Sequence, residues 1–362
     1  MTLLTEALDF SLPDSSIATV PAERRGTGRD DVRLMVARRD STTIEHGTFS
    51  RIDRYLRAGD VLVVNTSATI PAAVTARADD GSLVKAHFAS PTAAGLWTVE
   101  VRIPVEGGGT APSPDFSAQT LRLPAGVSLH LLARSPRTPR LWVTAVETPR
   151  DLLGYLTAHG EPIRYSPGPS WPLADYQTVF ATEPGSAEMP SAARPFTPEL
   201  VTRLISQGIA IVPIVLHAGV SSFEEGESPG EERYHVSPTT ASVINAMRAS
   251  GGRIIAVGTT VVRALESVVD DNGTVHPGSG VTDVIVSPQS GVRSADGLLT
   301  GWHEPRSSHL RLLEAFVPKS QLEAVYEEAR VNGYLWHEFG DELLILPRAL
   351  DEIPTRQPTP ID

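Results

Sequence analysis

The chain has 362 residues, no cysteine and a formal net charge of -12. The lack of cysteine excludes disulfides, thiolate zinc sites and cysteine nucleophiles, and the acidic balance argues against broad, non-specific nucleic-acid binding, which needs a basic surface. No apolar run is long enough to span a bilayer, and Met1-Thr2-Leu3-Leu4-Thr5-Glu6 lacks the regions of a secretory signal, so a cytoplasmic protein is expected.

Two groups of arginines could form a local basic face: Arg24, Arg25, Arg29, Arg33, Arg38 and Arg39, and Arg134, Arg137 and Arg140. Solvated loops are the simpler reading of the second group. Asp60 to Asn65 reads as a buried strand ending on a polar residue. From about Ala72 to Pro149 the texture changes to short β-prone pieces: Val84–Phe88, Trp97–Ile103, Leu121–Leu123, Ser128–Leu132 and Leu141–Val146. Gly- and Pro-rich turns separate them, the pattern of a small antiparallel barrel or sandwich inserted into a larger domain. After Gly160 the larger domain resumes. Thr197-Pro198 opens a helix, with Thr197 as cap and Pro198 at the first helical position. Ile209 to Leu216 is a second buried strand, and Ser237-Pro238 starts a helix that runs to Gly251-Gly252. Arg253 to Val257 is a third strand, followed by Gly258-Thr259-Thr260 and a helix carrying Arg263 and Glu266. Ser320-Gln321-Leu322-Glu323 has the spacing of a capping box, and Asp341 to Leu346 is a last strand. The expected organisation is a discontinuous large domain, 1–71 and 160–350, with a small domain at 72–159 inserted in it. The tail at 351–362 has little to bury and is expected to be poorly ordered.

Polar residues gather just after the apolar runs: Asn65, His217, Gly258 to Thr260, Thr282-Asp283, and Gly301 to Ser308. Strand ends of this kind converge on ligand clefts in open α/β sheets, and helix amides that begin after a strand favour anionic groups. Taken singly, each has a plainer reading: His217 and His303 as hydrogen-bonded structural histidines, Asp283 as a turn cap, Arg263 with Glu266 as a surface ion pair. No zinc motif, nucleophile elbow, dinucleotide fingerprint or phosphate-binding glycine loop is present.

In combination the motifs become specific. They include Gly59-Asp60-Val61-Leu62-Val63-Val64-Asn65 with Ile70-Pro71-Ala72, Asp175-Tyr176-Gln177-Thr178-Val179-Phe180-Ala181 with Gly185-Ser186, and Phe196-Thr197. Leu216-His217 with Gly219 and Phe223, Ala256-Val257-Gly258-Thr259-Thr260 with Val262 to Ser267, and Thr282-Asp283 follow. Asp296-Gly297-Leu298-Leu299-Thr300, His303, Pro305, Ser307 and Gly340-Asp341 complete the series. Over nearly its whole length the chain resembles the S-adenosylmethionine:tRNA ribosyltransferase-isomerase family of queuosine biosynthesis. The resemblance implies an α/β fold: a large mixed α/β domain with an inserted small antiparallel β-barrel domain. It implies S-adenosylmethionine as a ribosyl donor, tRNA as acceptor, and no metal or further cofactor. A base removes a proton beside the sulfonium, adenine leaves, and the amine of a 7-aminomethyl-7-deazaguanine attacks the sugar. Methionine then departs as an epoxide forms. Carried over residue by residue, the resemblance implies His217, His303 and Asp283 for catalysis. For substrate binding it implies Asn65, Ser67, Gln177, Thr178, Phe196, Thr197, Gly219, Phe223, Gly258, Thr259, Thr260, Arg263, Glu266, Thr282, Pro305 and Ser307. It implies no membrane association and names no protein partner.

The chain also departs from the family pattern. Where the family reads Asn-Asp-Thr-Arg, Asn65, Thr66, Ser67 and Ala68 stand here, and Ala73 replaces a second arginine. Ala193-Arg194-Pro195-Phe196 replaces Gly-Leu-His-Phe. The motif around Gly258 to Glu266 is better kept, so the donor half of the site is the better preserved half. Two further readings share the fold: an S-adenosylmethionine-using enzyme with a different acceptor or with elimination only, and a non-catalytic nucleotide- or RNA-binding protein. Any tRNA binding is expected to rest on the arginines from Arg24 to Arg39.

Overall fold

The computed structural model describes residues 8–92, 94–136, 138–148, 151–220 and 230–348. Phe223, Arg137 and the tail from Asp351 therefore lie outside the described residues. The chain opens with β1 (Arg33–Arg38), β2 (Ile44–Thr48), β3 (Val61–Asn65) and β4 (Ser67–Thr69). Seven strands follow: β5 (Ala73–Ala78), β6 (Leu83–Pro91), β7 (Trp97–Pro104), β8 (Thr110–Pro112), β9 (Thr120–Arg122), β10 (Ser128–Arg134) and β11 (Leu141–Glu147). Next come α1 (Leu152–His159), β12 (Glu183–Ser186), α2 (Pro198–Ser206), β13 (Ala210–Leu216), β14 (Glu232–Val236) and α3 (Pro238–Ala249). The chain continues through β15 (Ile254–Val257), α4 (Thr259–Glu266), β16 (Gly278–Thr282) and β17 (Gly297–Gly301), then α5 (Ser308–Leu313), α6 (Lys319–Val331) and β18 (Glu342–Leu346).

The large sheet has nine strands in the order β16-β14-β13-β3-β15-β17-β18-β1-β2. Its centre, β13-β3-β15-β17, is parallel. On one side β13-β14 and β14-β16 pair antiparallel. On the other β17-β18 and β1-β2 pair antiparallel, while β18 and β1 between them run parallel. Central strands covered on both faces must be apolar at every position. Val61 to Asn65 and Ile254 to Val257 are buried throughout. On one face Val61, Val63 and Ala256 pack against Val261 and Leu265 of α4, Ile244 of α3 and Leu322 of α6. On the other, Leu62, Val64, Ile255 and Val257 pack against Leu200 and Leu204 of α2, Phe49 and Phe196. Each such Leu or Val contributes about 1.5–3 kcal/mol when fully buried.

The strands from β5 to β11 form a second sheet. It closes on itself through pairing of β11 with β7, making a six-stranded antiparallel barrel with β8 as an outer strand. Val74, Ala76, Ala86, Phe88, Val99, Val101 and Leu121 fill its interior. The fold is thus a mixed α/β sheet unit carrying a small barrel. A short parallel pair, β4 with β12, lies where the two meet. Among the described residues no helix is long and apolar enough to cross a membrane.

Local signals held where one residue acts alone. Thr197 and Ser237 cap α2 and α3 by accepting hydrogen bonds from the amides of Leu200 and Thr240. The capping box at Ser320 does not form. Helix α6 starts at Lys319 with Pro318 at the cap position and no side-chain cap, so Ser320 lies inside the helix and cannot cap it. Gln321 beside it donates to the carbonyls of Arg38 and Ser41 at 2.6 and 2.8 Å.

Candidate functional site

The carboxyl ends of β3, β13, β15 and β17 meet at one edge of the sheet, and Asn65 ties the end of β3 to β13, β4 and the start of α4. Its amide Nδ2 donates to Leu216 O at 2.8 Å and to Thr260 Oγ1 at 3.3 Å. Its Oδ1 accepts from the amides of Ser67 and Leu216, each at 3.0 Å. Backbone pairing of β3 with β13 stops at Asn65 and Ile214, so the side chain extends the ladder one step further. Asn65 is completely buried and fully bonded, which is what a polar group needs to stay out of water.

Two residues on, Ser67 Oγ lies 2.6 Å from Ser186 Oγ and 2.8 Å from His217 Nδ1. Ser186 Oγ also accepts from the Ala218 amide at 3.0 Å. The order that gives every hydroxyl proton an acceptor runs Ser186 to Ser67 to His217 Nδ1, which leaves the proton of the neutral ring on Nε2. Burial lowers the His217 pKa, and the nearby Arg233 lowers it further, against a smaller opposite pull from Glu183. Gly185 packs directly under this ring; a Cβ there would fall 2.4 Å from Nδ1.

Gly258 joins β15 to α4 with φ 96° and ψ 153°, a region essentially reserved for glycine. The amides of Thr259 and Thr260 open α4 and have no earlier carbonyl of their own helix to bond. Arg263 and Glu266 are not a surface pair. Both are buried and each serves a different loop. Arg263 is ion-paired to Glu232 and donates to Gly230 O at 3.0 Å and Val284 O at 3.2 Å. Glu232 in turn accepts from the Gly219 amide at 3.0 Å. Glu266 accepts from the amides of Arg293 and Ser294, each at 2.8 Å. Thr282 Oγ1 accepts from Ser267 Oγ at 2.6 Å, and Asp283 beside it is exposed.

A second corner lies two residues beyond β17. His303 Nε2 is 2.8 Å from Thr300 Oγ1, and its ring stacks on His309 with centroids 4.6 Å apart and planes 7° from parallel. Burial holds the His303 pKa well below the ordinary histidine value, with His309 and His337 adding to the effect. Burial and Arg263 push His309 down to about 4. Both rings are therefore neutral near pH 7. Pro305 is half-buried, and the hydroxyls of Ser307 and Ser308 are buried without hydrogen-bond partners among the described residues.

The remaining residues singled out in the sequence sit further back. Gln177 brackets the backbone of Thr69, accepting from its amide at 3.0 Å and donating to its carbonyl at 2.8 Å. Thr178 Oγ1 accepts from the Phe180 amide. Phe196 lies in the core, edge-on to Phe49 and Phe180, and Thr197 is spent on capping α2. Gly219 abuts the barrel, where a Cβ would come 3.2 Å from Ser90 Oγ. Among the described residues no group of three or more His, Asp or Glu side chains could hold a metal ion.

Sequence reasoning missed Ser186, Glu232 and His309 as members of this arrangement. His309 had a visible signal, six residues after His303 in one polar run. Ser186 and Ser67 are 119 positions apart, and no spacing rule joins them. The N-terminal arginines do not form an open basic face. Arg24 pairs with Asp175 and Arg29 with Glu23. Arg33 lies over the Tyr334 ring, and Arg39 donates to Phe316 O.

Comparison with known proteins places the chain in one family. A family model described as "Queuosine biosynthesis protein" matches residues 5–345. A relative from Moorella thermoacetica, named S-adenosylmethionine:tRNA ribosyltransferase-isomerase, is 37% identical over 94% of this chain and 99% of its own. One of the same name from Pelobacter propionicus is 33% identical over 95% of this chain and 100% of its own. The crystal structure of an S-adenosylmethionine tRNA ribosyltransferase from Thermotoga maritima superposes with a TM-score of 0.52 at 30% identity, covering 94% of this chain and 99% of that one. Matched over nearly its whole length by this family model and by relatives at 33% and 37% identity, the chain belongs to the queuosine biosynthesis protein family.

Proposed function

We propose that this protein is an S-adenosylmethionine:tRNA ribosyltransferase-isomerase. It moves the ribosyl part of S-adenosylmethionine onto a 7-aminomethyl-7-deazaguanine in tRNA, giving epoxyqueuosine and releasing adenine and methionine. The supporting observation is the polar sheet edge where Asn65 is hydrogen-bonded to the Gly258–α4 turn and, through Ser67, connected to His217, with His303 standing beyond the end of β17, in a chain matched end to end by relatives of that name. A tRNA acceptor fits a cytoplasmic location.

The proposed division of labour follows from the geometry. Gly258 gives the donor close access to the backbone, and the first amides of α4 offer hydrogen bonds to its carboxylate or sugar oxygens. Arg263 and Glu232 tie α4 to β14 and to Gly219 and so fix the floor on which the donor rests. His303 is neutral, the form that accepts a proton. The sulfonium acidifies the adjacent C–H bond, so a base of modest strength suffices. His217 offers a donor hydrogen rather than a base if Ser67 occupies its Nδ1.

The test is incubation with S-adenosylmethionine, with and without tRNA carrying the aminomethyl precursor, assaying adenine, methionine and modified tRNA. Adenine and methionine released in step with epoxyqueuosine, and only when the tRNA is present, is the expected result. Adenine released equally without tRNA would replace the acceptor, and binding without turnover would replace the reaction.

A further inference from the structure

Beside His217 the sheet edge opens into a groove of about 440 Å³. Val215, His217, Arg233, His235 and Ser279 line it, across the pairing of β13 with β14 and of β14 with β16. Its chemistry is unusual for this molecule. The chain carries 43 acidic against 31 basic residues, yet the groove presents an arginine, two imidazoles and a serine hydroxyl. Arg233 is exposed, and among the described residues its guanidinium has neither a hydrogen bond nor an ion pair. That sets it apart from the arginines near the N-terminus, which are bound internally, and from Arg134, which donates to four backbone carbonyls. His235 shares a hydrogen bond of 2.6 Å with Ser279 through Nδ1, so its Nε2 is turned away from that contact. His217 is bonded to Ser67 through Nδ1, which likewise leaves its Nε2 for a ligand. The carboxylate that acts on His217 is Glu183; Glu232, next to Arg233 in sequence, is spent on Arg263 from the opposite side of its strand.

We propose that this groove holds the sugar-phosphate backbone of the tRNA next to the base being modified, with Arg233 on a phosphate and His235 and His217 donating to phosphate or sugar oxygens. The proposal rests on the tRNA-dependent reading of the function and names the surface that serves it. An acidic enzyme meets net repulsion from RNA, so a bound strand needs a local cationic seat. A row of donors along a concave edge suits phosphate and ribose oxygens, and contacts of this kind position a nucleic acid without reading its sequence. The groove also ends at His217, on the rim of the polar edge that holds Asn65 and Gly258. A nucleotide reaching into that edge therefore brings its neighbouring phosphates over β14.

The test measures binding rather than turnover. Precursor tRNA is titrated against the parent, Arg233→Ala, Arg233→Lys and His235→Ala at several salt concentrations, with S-adenosylmethionine affinity measured alongside. Loss of one phosphate contact weakens binding by roughly three- to tenfold and lowers the slope of log K against log salt by about 1. Arg233→Ala is expected to show both, Arg233→Lys to restore most of the affinity, and none of the variants to change S-adenosylmethionine binding. Unchanged tRNA affinity and slope in Arg233→Ala and His235→Ala, with the parent binding well, overturns the groove alone. Weakened S-adenosylmethionine binding with unchanged tRNA binding also overturns it, by making the groove part of the donor site. A parent that binds no tRNA at any salt overturns the groove and the function together.

Discussion

Asn65 shows how one side chain can decide whether the site exists. It satisfies both backbone groups of Leu216 and the amide of Ser67, all at the junction of β3, β13 and β4. Truncating it leaves those groups buried and unpaired, at about 1–3 kcal/mol for each that cannot reach water. Asn65→Ala is expected to lose roughly 3 kcal/mol or more, read as a lower urea midpoint with an unchanged slope. A loss below about 0.5 kcal/mol, the range of ordinary surface substitutions, would show that Asn65 does not hold the strands. The contrast with Arg263 is instructive. Its place beside Glu266 on one helix face invites pairing within the helix. The structure instead gives each a loop partner, because both side chains are buried and the nearby loop carbonyls and amides need bonds of their own.

At the scale of the element, the strand-turn-helix of β15, Gly258 and α4 was the most readable part of the chain, and it is also where conformation is most demanding. At φ 96° and ψ 153° any residue other than glycine is strained, by roughly 1–3 kcal/mol. A Cβ there would meet only Ala192 Cβ and Thr260 Oγ1, each at 3.6 Å, so the penalty is conformational rather than a clash. Gly258→Ala should therefore lower the melting temperature modestly and weaken S-adenosylmethionine binding in calorimetry. Full affinity in a destabilised variant would move the donor away from this turn. Legibility followed apolar content. The buried strands β3, β15 and β18, the barrel strands for the most part, and β13 stand out as apolar runs, although β13 is only half-buried, with Pro213 exposed. The flank strand β16, Gly278-Ser279-Gly280-Val281-Thr282, carries no such run, and it is held by pairing with β14 that no local pattern encodes. The site was legible as a set of strand ends. The contacts that organise it, Ser67 with Ser186 and Glu232 with Arg263, join distant segments and appear only once the sheet order is known.

The whole molecule is set to lose stability in acid, through histidines buried in their neutral form. His87 is the extreme case. It lies on β6, completely buried, and neither ring nitrogen has a hydrogen-bond partner among the described residues. Burial, reinforced by Arg102, Lys85 and Arg140, lowers its pKa to about 3. Its ring meets Tyr165 edge-on at 5.7 Å. In the unfolded chain a histidine titrates near 6.5. Because the folded value is the lower one, the contribution to stability is complete above about pH 6.5 and is lost as pH falls toward 3. Each pH unit in that window costs about 1.4 kcal/mol per histidine. His303, His309, His337 and His217 act in the same direction. Glu338 opposes them: burial, then the Glu188 charge, raise it to about 8, so its contribution is present below about pH 4.5 and lost as pH rises toward 8. Comparing His87→Leu with the parent isolates one of these protons. The substitution also removes the ring contact with Tyr165, a cost that to first order does not vary with pH. The stability difference between variant and parent should therefore shift by about 2 kcal/mol in favour of the variant between pH 7.5 and pH 5, measured by chemical denaturation at each pH. Parallel stability curves for the two proteins over that range would mean that His87 does not take up a proton on unfolding.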